Sequence, residues 1–577
     1  MLKKLYPYLK KYKKEACFAI LCAAFEAVFE LIIPLVMAKI VDVGISNKDI
    51  AYTIKLGILM VVMALISLSL GLGAARFAAI SGQGLGAEIR EAEYKKIQTF
   101  SFKNIENFST ASLITRLTTD ITAIQNAFTI GVKLLVRGPM MLICAFTLSV
   151  FISPKLSLIF LVSMPVLVIA IYTIIRNATP KFKSMQGKID NINTVVQENL
   201  IGVRVVKSFV RANKEKEKFD KRNDDLLAMS EGAFGLVVLN MPIMQAVVFA
   251  SLIAILWFGG NMVHEGTLAV GELTSFFTYS FQILMSLMMI SMVLMMVSRS
   301  FASAERIIKV LEEEPDIVDP ANPVMEVKNG DIEFKNVDFK YYHDSEELNL
   351  SSIDIKIKSG QTVGIIGGTG SAKTSLVQLI PRLYDVTNGE VLVGGVNVKN
   401  YHLETLRNEV AMVLQKNTLF SGTVRENLMW GNENATQEQI EAACKAACVD
   451  EFIDRLPGGY DMVLDQGGVN VSGGQKQRLC ITRAILKQPK ILILDDSTSA
   501  VDTATDAKIR KAFAEDLGDT TKIIIAQRVI SVCDADLIIV MDDGKVSAMG
   551  THDELMKTSE IYQDVYNSQQ KGAGFDE

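Results

Sequence analysis

The sequence predicts a membrane domain of α-helices fused to an α/β domain, and three observations carry the prediction. Six long apolar runs all fall before about residue 300, each near the twenty residues that a spanning helix needs. From about Met325 onward, β-branched strand patterns alternate with helical ones over roughly 250 residues, the texture of an α/β domain. Between the two, acid clusters and Pro315, Pro320 and Pro323 mark a linker. The predicted organisation is therefore a six-span domain over 1–310, a linker over 311–324 and an α/β domain over 325–577. With 577 residues, 49% of them hydrophobic, the chain is too long for one soluble domain and too apolar for an ordinary two-domain enzyme. A formal charge of -5 argues against nucleic acid as a partner, and seven scattered cysteines form neither a disulfide framework nor a zinc spacing.

The first segment, MLKKLYPYLKKYKK, interleaves Leu and Tyr with bases and reads as an interfacial helix on the cytoplasmic leaflet. It lacks the short apolar core and small-residue cleavage site of a signal peptide. The apolar runs follow at about Phe18 to Ile40, Thr53 to Ile80, Leu134 to Ile152, Leu156 to Ile175, Phe234 to Val263 and Leu273 to Val297. The gaps after the second and fourth runs, Ser81 to Lys133 and Arg176 to Ala233, are long, helical in pattern and rich in charge. Basic segments favour the cytoplasmic side, so both termini and the α/β domain are expected there, with two long helical extensions beyond the membrane.

The α/β half carries the chemistry. VGIIGGTGSAKTSLVQLI reads as strand, glycine-rich turn and helix, with Gly367, Gly370, Lys373 and Thr374 at phosphate-loop spacing. In such a loop, formed here by Gly367, Gly368, Thr369, Gly370, Ser371, Ala372, Lys373, Thr374 and Ser375, backbone N–H groups face phosphates. Lys373 reaches the outer phosphates and the Thr374 hydroxyl ligates magnesium. Ala372 stands where the pattern has glycine, and tolerance of its methyl group is expected. ILILDDSTSAVD delivers Asp495, a second magnesium ligand, to the tip of its own apolar strand. ATP and Mg2+ are the implied cofactors.

Between these motifs lies NVSGGQKQRLCITRAIL, in which Ser472, Gly473, Gly474 and Gln475 open a helix and offer backbone donors and a hydroxyl to an anion. SGGQ between a phosphate loop and a strand-tip Asp resembles the ATP-binding-cassette (ABC) family, and six spans ahead of one cassette resemble its exporter half-transporters. The resemblance covers essentially the whole chain. It implies that Tyr341 in VDFKYYH stacks on adenine, with Tyr342 as the rival candidate. It also implies that Gln415 touches magnesium and the transmembrane coupling helices, and that Asp502 contacts an opposite cassette. Family members pair so that SGGQ of each cassette completes the phosphate site of the other.

Three positions depart from the family pattern. The catalytic Glu that should follow Asp495 is Asp496, one methylene shorter, so its carboxylate retreats by about 1 Å, enough to cost roughly 10²-fold in rate. The switch histidine after a strand of this kind is Gln527, an amide that cannot become cationic or relay a proton near neutral pH. None of His264, His343, His402 or His552 replaces it in sequence. Gln466 takes the place of an acid ahead of SGGQ. With the catalytic pair altered and SGGQ intact, the expected arrangement is a heterodimer. This chain's own ATP site would bind and hydrolyse poorly, while its SGGQ would complete the hydrolytic site of a different half-transporter.

Cargo is legible only in outline. Glu26 and Glu30 sit i, i+4 within the first span, where unpaired acids are expensive. They either line a cavity attracting amphipathic cations, pair with a basic side chain, or sit in a water-filled lumen without contact to cargo. Lys133 and Arg137, also i, i+4, are expected to snorkel to headgroups near a helix end. In the sixth span Met285, Met288 or Met289, Met292, and Met295 or Met296 make a helical stripe of adaptable side chains, suited to poorly specified apolar ligands or to plain helix packing. Together these features point to an exporter of amphipathic or lipophilic compounds across the cytoplasmic membrane, in contact with membrane lipid. A lipid flippase or a peptide exporter is the alternative. A nucleotide-gated channel or regulatory subunit is the reading from another class, although the spans lack rings of like charge.

Overall fold

The computed structural model describes residues 2–342, 347–497 and 500–573. By packing, the chain forms two compact units, residues 1–98 with 110–313 and residues 99–109 with 314–577. Among the described residues, six helices are long and apolar enough to cross a membrane.

In the first unit these lie along helices α1 (Lys13–Lys39), α2 (Ile50–Gln98), α3 (Ile121–Ile152), α4 (Pro154–Ile201), α5 (Ala212–Val238) continued by α6 (Asn240–His264) as one of the six, and α7 (Val270–Glu312). Helices α2 and α4 run unbroken past their apolar runs, as the charge-rich gaps require. Ala16, Ala19, Ala23 and Ala27 recur at helical spacing on the buried face of α1, where small side chains let backbones approach closely. Helix α2 likewise buries small residues, Ala74, Ala78, Ser81 and Gly82, the last of them against Thr129 and Gln125 of α3. Pro34 lies inside the continuous helix α1, and α7 donates to carbonyls beside it, Tyr279 Oη to Leu31 O at 2.7 Å and Ser275 Oγ to Pro34 O at 2.7 Å. The apolar centre gathers Leu31, Leu156, Phe160, Ile255, Phe276 and Tyr279, with Phe160 stacked on Phe276. The N-terminal segment is helical over Leu2–Leu9, but Leu5 is buried against Leu85, Ile89 and Ile307, so protein takes up this part of the apolar side expected to face lipid.

The second unit holds two main sheets. Strands β1 (Ile332–Phe339), β2 (Leu350–Ile357), β4 (Asn388–Val393) and β5 (Val396–Asn397) form an antiparallel sheet in the order β2-β1-β4-β5. The larger sheet runs β12-β11-β3-β10-β9-β6, built from β3 (Thr362–Gly367), β6 (Val410–Val413), β9 (Ile491–Asp495), β10 (Thr521–Ile525), β11 (Leu537–Asp542) and β12 (Lys545–Gly550). The remaining two strands, β7 (Gly422–Thr423) and β8 (Val463–Leu464), make a short ribbon. Every pairing in the larger sheet except β11 with β12 is parallel. Every residue of β9 and β10 is buried, as expected for parallel strands covered on both faces. Register places Ile525 beside both Ile365 and Asp495, and Val413 beside Leu494. The carboxyl ends of β3, β6, β9 and β10 therefore line one edge, where open α/β sheets bind ligands.

Candidate functional site

That shared edge carries the residues singled out by sequence. Directly after β3, the glycine-rich turn leads into helix α8 (Lys373–Gln378). A side chain at Gly368 or Gly370 would meet nothing within 4 Å, so the turn is open around both positions. Lys373 Nζ donates to the carbonyls of Gly367 at 3.0 Å and Gly368 at 2.7 Å, folded back on the loop it would leave for a phosphate. Burial lowers the Lys373 pKa, while Asp496 and Asp495 oppose the shift. Thr374 Oγ1 donates to Asp495 Oδ1 at 2.9 Å, which brings together two hard oxygen donors, one ionisable, suited to magnesium. Asp495 is buried, and burial raises its pKa; the Thr374 hydrogen bond and Lys373 offset this in part, while Asp496 adds to it. Lys373, Thr374 and Asp495 thus fit ATP with Mg2+, the metal neutralising charge on the terminal phosphates.

Ala372 adopts φ +66, ψ 23, the left-handed region. The expected tolerance has a structural cost: an L residue there loses about 1–2 kcal/mol that glycine would not. Gln415 lies exposed just beyond β6.

Tyr341 is half-buried, with its ring edge-on to Phe339 and Tyr384 and its hydroxyl 2.8 Å from Ser375 Oγ of α8. This contact ties the expected adenine-stacking residue to the phosphate-loop helix, and burial raises its pKa. Tyr342, the rival, is exposed, and His343 lies outside the described residues. Sequence reading missed Tyr384, which also donates to Glu106 Oε1 at 3.2 Å within the same unit. Its separation from both partners in sequence left no local signal.

The two positions expected to depart from the family's catalytic pair lie in contact. Asp496, at φ +50, is fixed by its N–H on Ile525 O at 3.1 Å, and Gln527 Nε2 donates to Asp496 Oδ2 at 2.6 Å. A neutral amide thus occupies one carboxylate oxygen of the residue that stands where the family's base would.

SGGQ opens helix α9 (Gly473–Leu486) with reciprocal caps: Ser472 Oγ accepts from Gln475 N at 3.3 Å, and Gln475 Oε1 accepts from Ser472 N at 2.9 Å. Ser472 and Gly473 are exposed. Gln477 Oε1 of the same helix accepts Ala500 N at 3.0 Å, and a Cβ on Gly474 would lie 2.9 Å from Ala500 O. Asp502 Oδ1 accepts Thr505 N at 3.0 Å, capping helix α10 (Thr503–Asp516), and that N–H holds its pKa low. Gln466 is exposed.

In the first unit one expectation is corrected. Arg137 does not snorkel: its Nη1 bonds Glu26 Oε1 at 2.8 Å and its Nη2 bonds Glu30 Oε2 at 2.6 Å. Two acids one helical turn apart present a fork that a guanidinium matches, which outweighs a reach to headgroups. Of the methionine stripe, Met285, Met288 and Met289 are half-buried, Met288 packing near Leu167, Met244 and Leu284, while Met292 is exposed. Met295 lies outside the residues whose side chains are described. All seven cysteines are free, and no metal-binding cluster of His, Cys, Asp or Glu occurs among the described residues.

Comparison with known proteins matches residues 16–287 to the ABC transporter transmembrane region and residues 350–499 to the ABC transporter family. The chain is 36% identical over 562 residues to an uncharacterized ABC transporter ATP-binding protein, YfiB, of Bacillus subtilis, covering 97% of each. It is 30% identical to a putative multidrug export ATP-binding/permease protein of Staphylococcus aureus, over 99% of this chain and all of that one. Its fold matches a solved structure of a bacterial Atm1-family ABC exporter with ATP bound, with a TM-score of 0.83, 22% identity, and coverage of 96% of this chain and 99% of that one.

Proposed function

The chain belongs to the ABC transporters, with the transmembrane region and the ATP- and magnesium-binding ATPase domain in one polypeptide, and from that premise we propose that it is the degenerate-site half of a heterodimeric exporter. The observation that carries this reading is the 2.6 Å hydrogen bond from Gln527 to Asp496. At the position where hydrolysis needs a base, the carboxylate is short and already engaged by an amide that cannot relay a proton. The residues that fit ATP and magnesium are nevertheless in place. Binding without efficient turnover is the consequence.

A partner is supported by surfaces that a lone chain leaves open. Ser472 and Gly473 are exposed, and although the Ser472 N–H is taken up by Gln475 Oε1, the Ser472 hydroxyl and the Gly473 N–H are suited to a phosphate held by another cassette. Around the short helix Val203–Ser208, Ile201, Val205, Phe209 and Val210 are 60% to 87% exposed, an apolar tip that favours burial against protein. Export of amphipathic or lipophilic compounds out across the cytoplasmic membrane is supported by the exporter-like fold, the named Staphylococcus aureus relative and the adaptable Met285, Met289 and Met292. In this reading both termini and the ATPase domain face the cytoplasm.

The test is purification of the tagged chain from its native membrane with reconstitution of what comes with it. A different half-transporter should co-purify, and inside-out vesicles should take up an amphipathic dye when given ATP. Self-association alone, or ATP-gated single-channel currents without uptake, would overturn the reading.

A further inference from the structure

Three charged side chains meet inside the helical bundle, and their charges do not cancel. Glu26 and Glu30 of α1 flank Arg137 of α3, at 2.8 and 2.6 Å, so two carboxylates share one guanidinium. Lys133, one turn earlier on α3, makes no ion pair with either acid. On α2, the other helix against Glu26, no acid or base occurs between Lys55 and Arg76, and on α7 none occurs between Glu272 and Arg299.

Glu26 is 7% exposed, and its Oε2 is fully buried with no hydrogen-bond partner; Arg137 Nε is likewise unpartnered. On α2, Gly71 stands against this carboxylate, where a Cβ would lie 2.8 Å from Glu26 Oε1, so the neighbouring helix is cut back to admit the group. Glu30, by contrast, keeps a side-chain exposure of 34%, which leaves the cluster open on one side. An apolar bundle disfavours a surplus carboxylate unless a cation joins it.

We propose that the Glu26–Arg137–Glu30 cluster is a binding subsite for the positive group of an organic cation, with Arg137 holding the two carboxylates apart and Glu30 forming the accessible wall. This rests on the export reading for its physiological sense, because the cation would be cargo. Hydrogen-bonding ammonium groups would reach the accessible Glu30 carboxylate, whereas quaternary or phosphonium groups would be held by charge alone.

The probe is radiolabelled tetraphenylphosphonium, bound to the purified full-length complex and measured by scintillation proximity. Glu30→Gln and Glu26→Gln should each weaken its binding at least tenfold. Glu30→Asp, which keeps the charge, should retain most of it, and ATP binding should be unchanged in all three as the check on folding. Equal binding by wild type and both Gln variants, no binding by wild type, or equal loss in Glu30→Asp would overturn the subsite. Failure of the export reading is separate: the cation would bind in this charge-dependent way but would not be moved by ATP in vesicles.

Discussion

Gln527 and Asp496 stand 31 residues apart in sequence, at the ends of neighbouring parallel strands, and the Gln527 amide donates to the Asp496 carboxylate at 2.6 Å. Restoring both family residues, Asp496→Glu with Gln527→His, returns a carboxylate longer by a methylene and an ionisable ring while leaving Lys373, Thr374 and Asp495 untouched. ATP use by the complex should rise more than transport, because a site that holds ATP for long keeps the two cassettes partly associated. Transport and phosphate release measured on one reconstituted complex decide it; a proportional rise in both would remove the clamp from the account.

The signature helix should matter to a nucleotide bound elsewhere. Ser472→Ala removes a helix cap worth about 1 kcal/mol, and loss of a donor to a developing phosphate charge costs about 10²-fold in rate. Gly474→Ala places a methyl 2.9 Å from Ala500 O. Either change should abolish most ATPase activity of the complex while leaving ATP binding to this chain intact, as read by nucleotide photolabelling of each subunit.

Asp495 gives a prediction with a defined sign. Burial raises its pKa in the folded protein, so it contributes stability at low pH that is lost as pH rises through that folded value. Asp495→Asn should therefore raise the unfolding temperature of the nucleotide-free protein at neutral pH, yet remove its stabilisation by ATP with magnesium. In the wild type, magnesium-dependent ATP binding should fade on acidification at a pH above the ordinary aspartate range. Differential scanning fluorimetry across pH, with and without ATP and magnesium, reads both effects.

Arg137→Met strands two carboxylates in the bundle and should cost about 3–5 kcal/mol. Adding Glu26→Gln and Glu30→Gln should recover most of that loss in the same unfolding assay. Recovery absent from the triple variant would mean that Arg137 acts through packing alone.

Ala372→Gly should stabilise the nucleotide-free ATPase domain by about 0.5–1 kcal/mol, the relief of a left-handed alanine less the entropy glycine adds to the unfolded chain. An unchanged or lower unfolding temperature would contradict this.

Much of the architecture was legible because its signals are local. Apolar runs of spanning length marked the helices, and the phosphate loop, Asp495 and SGGQ each announce themselves within a few residues. Pairings across long sequence gaps were not legible. Arg137 lies more than a hundred residues from Glu26 and Glu30, and the i, i+4 rule that grouped it with Lys133 says nothing about which helix faces it. Tyr384 is hidden in the same way, because its contacts with Tyr341 and Glu106 depend on tertiary packing. The backbone of Ala372 escaped too: spacing identifies a missing glycine but not that the position needs a positive φ.

The central claim is that this chain holds ATP without being the subunit that hydrolyses it, and steady-state phosphate release by the purified chain without a partner tests it most directly. The account predicts saturable ATP and magnesium binding, turnover near background, and no further loss in Asp496→Asn. Robust turnover by the isolated chain, abolished by Asp496→Asn, would show that Asp496 is a working base and would contradict the account.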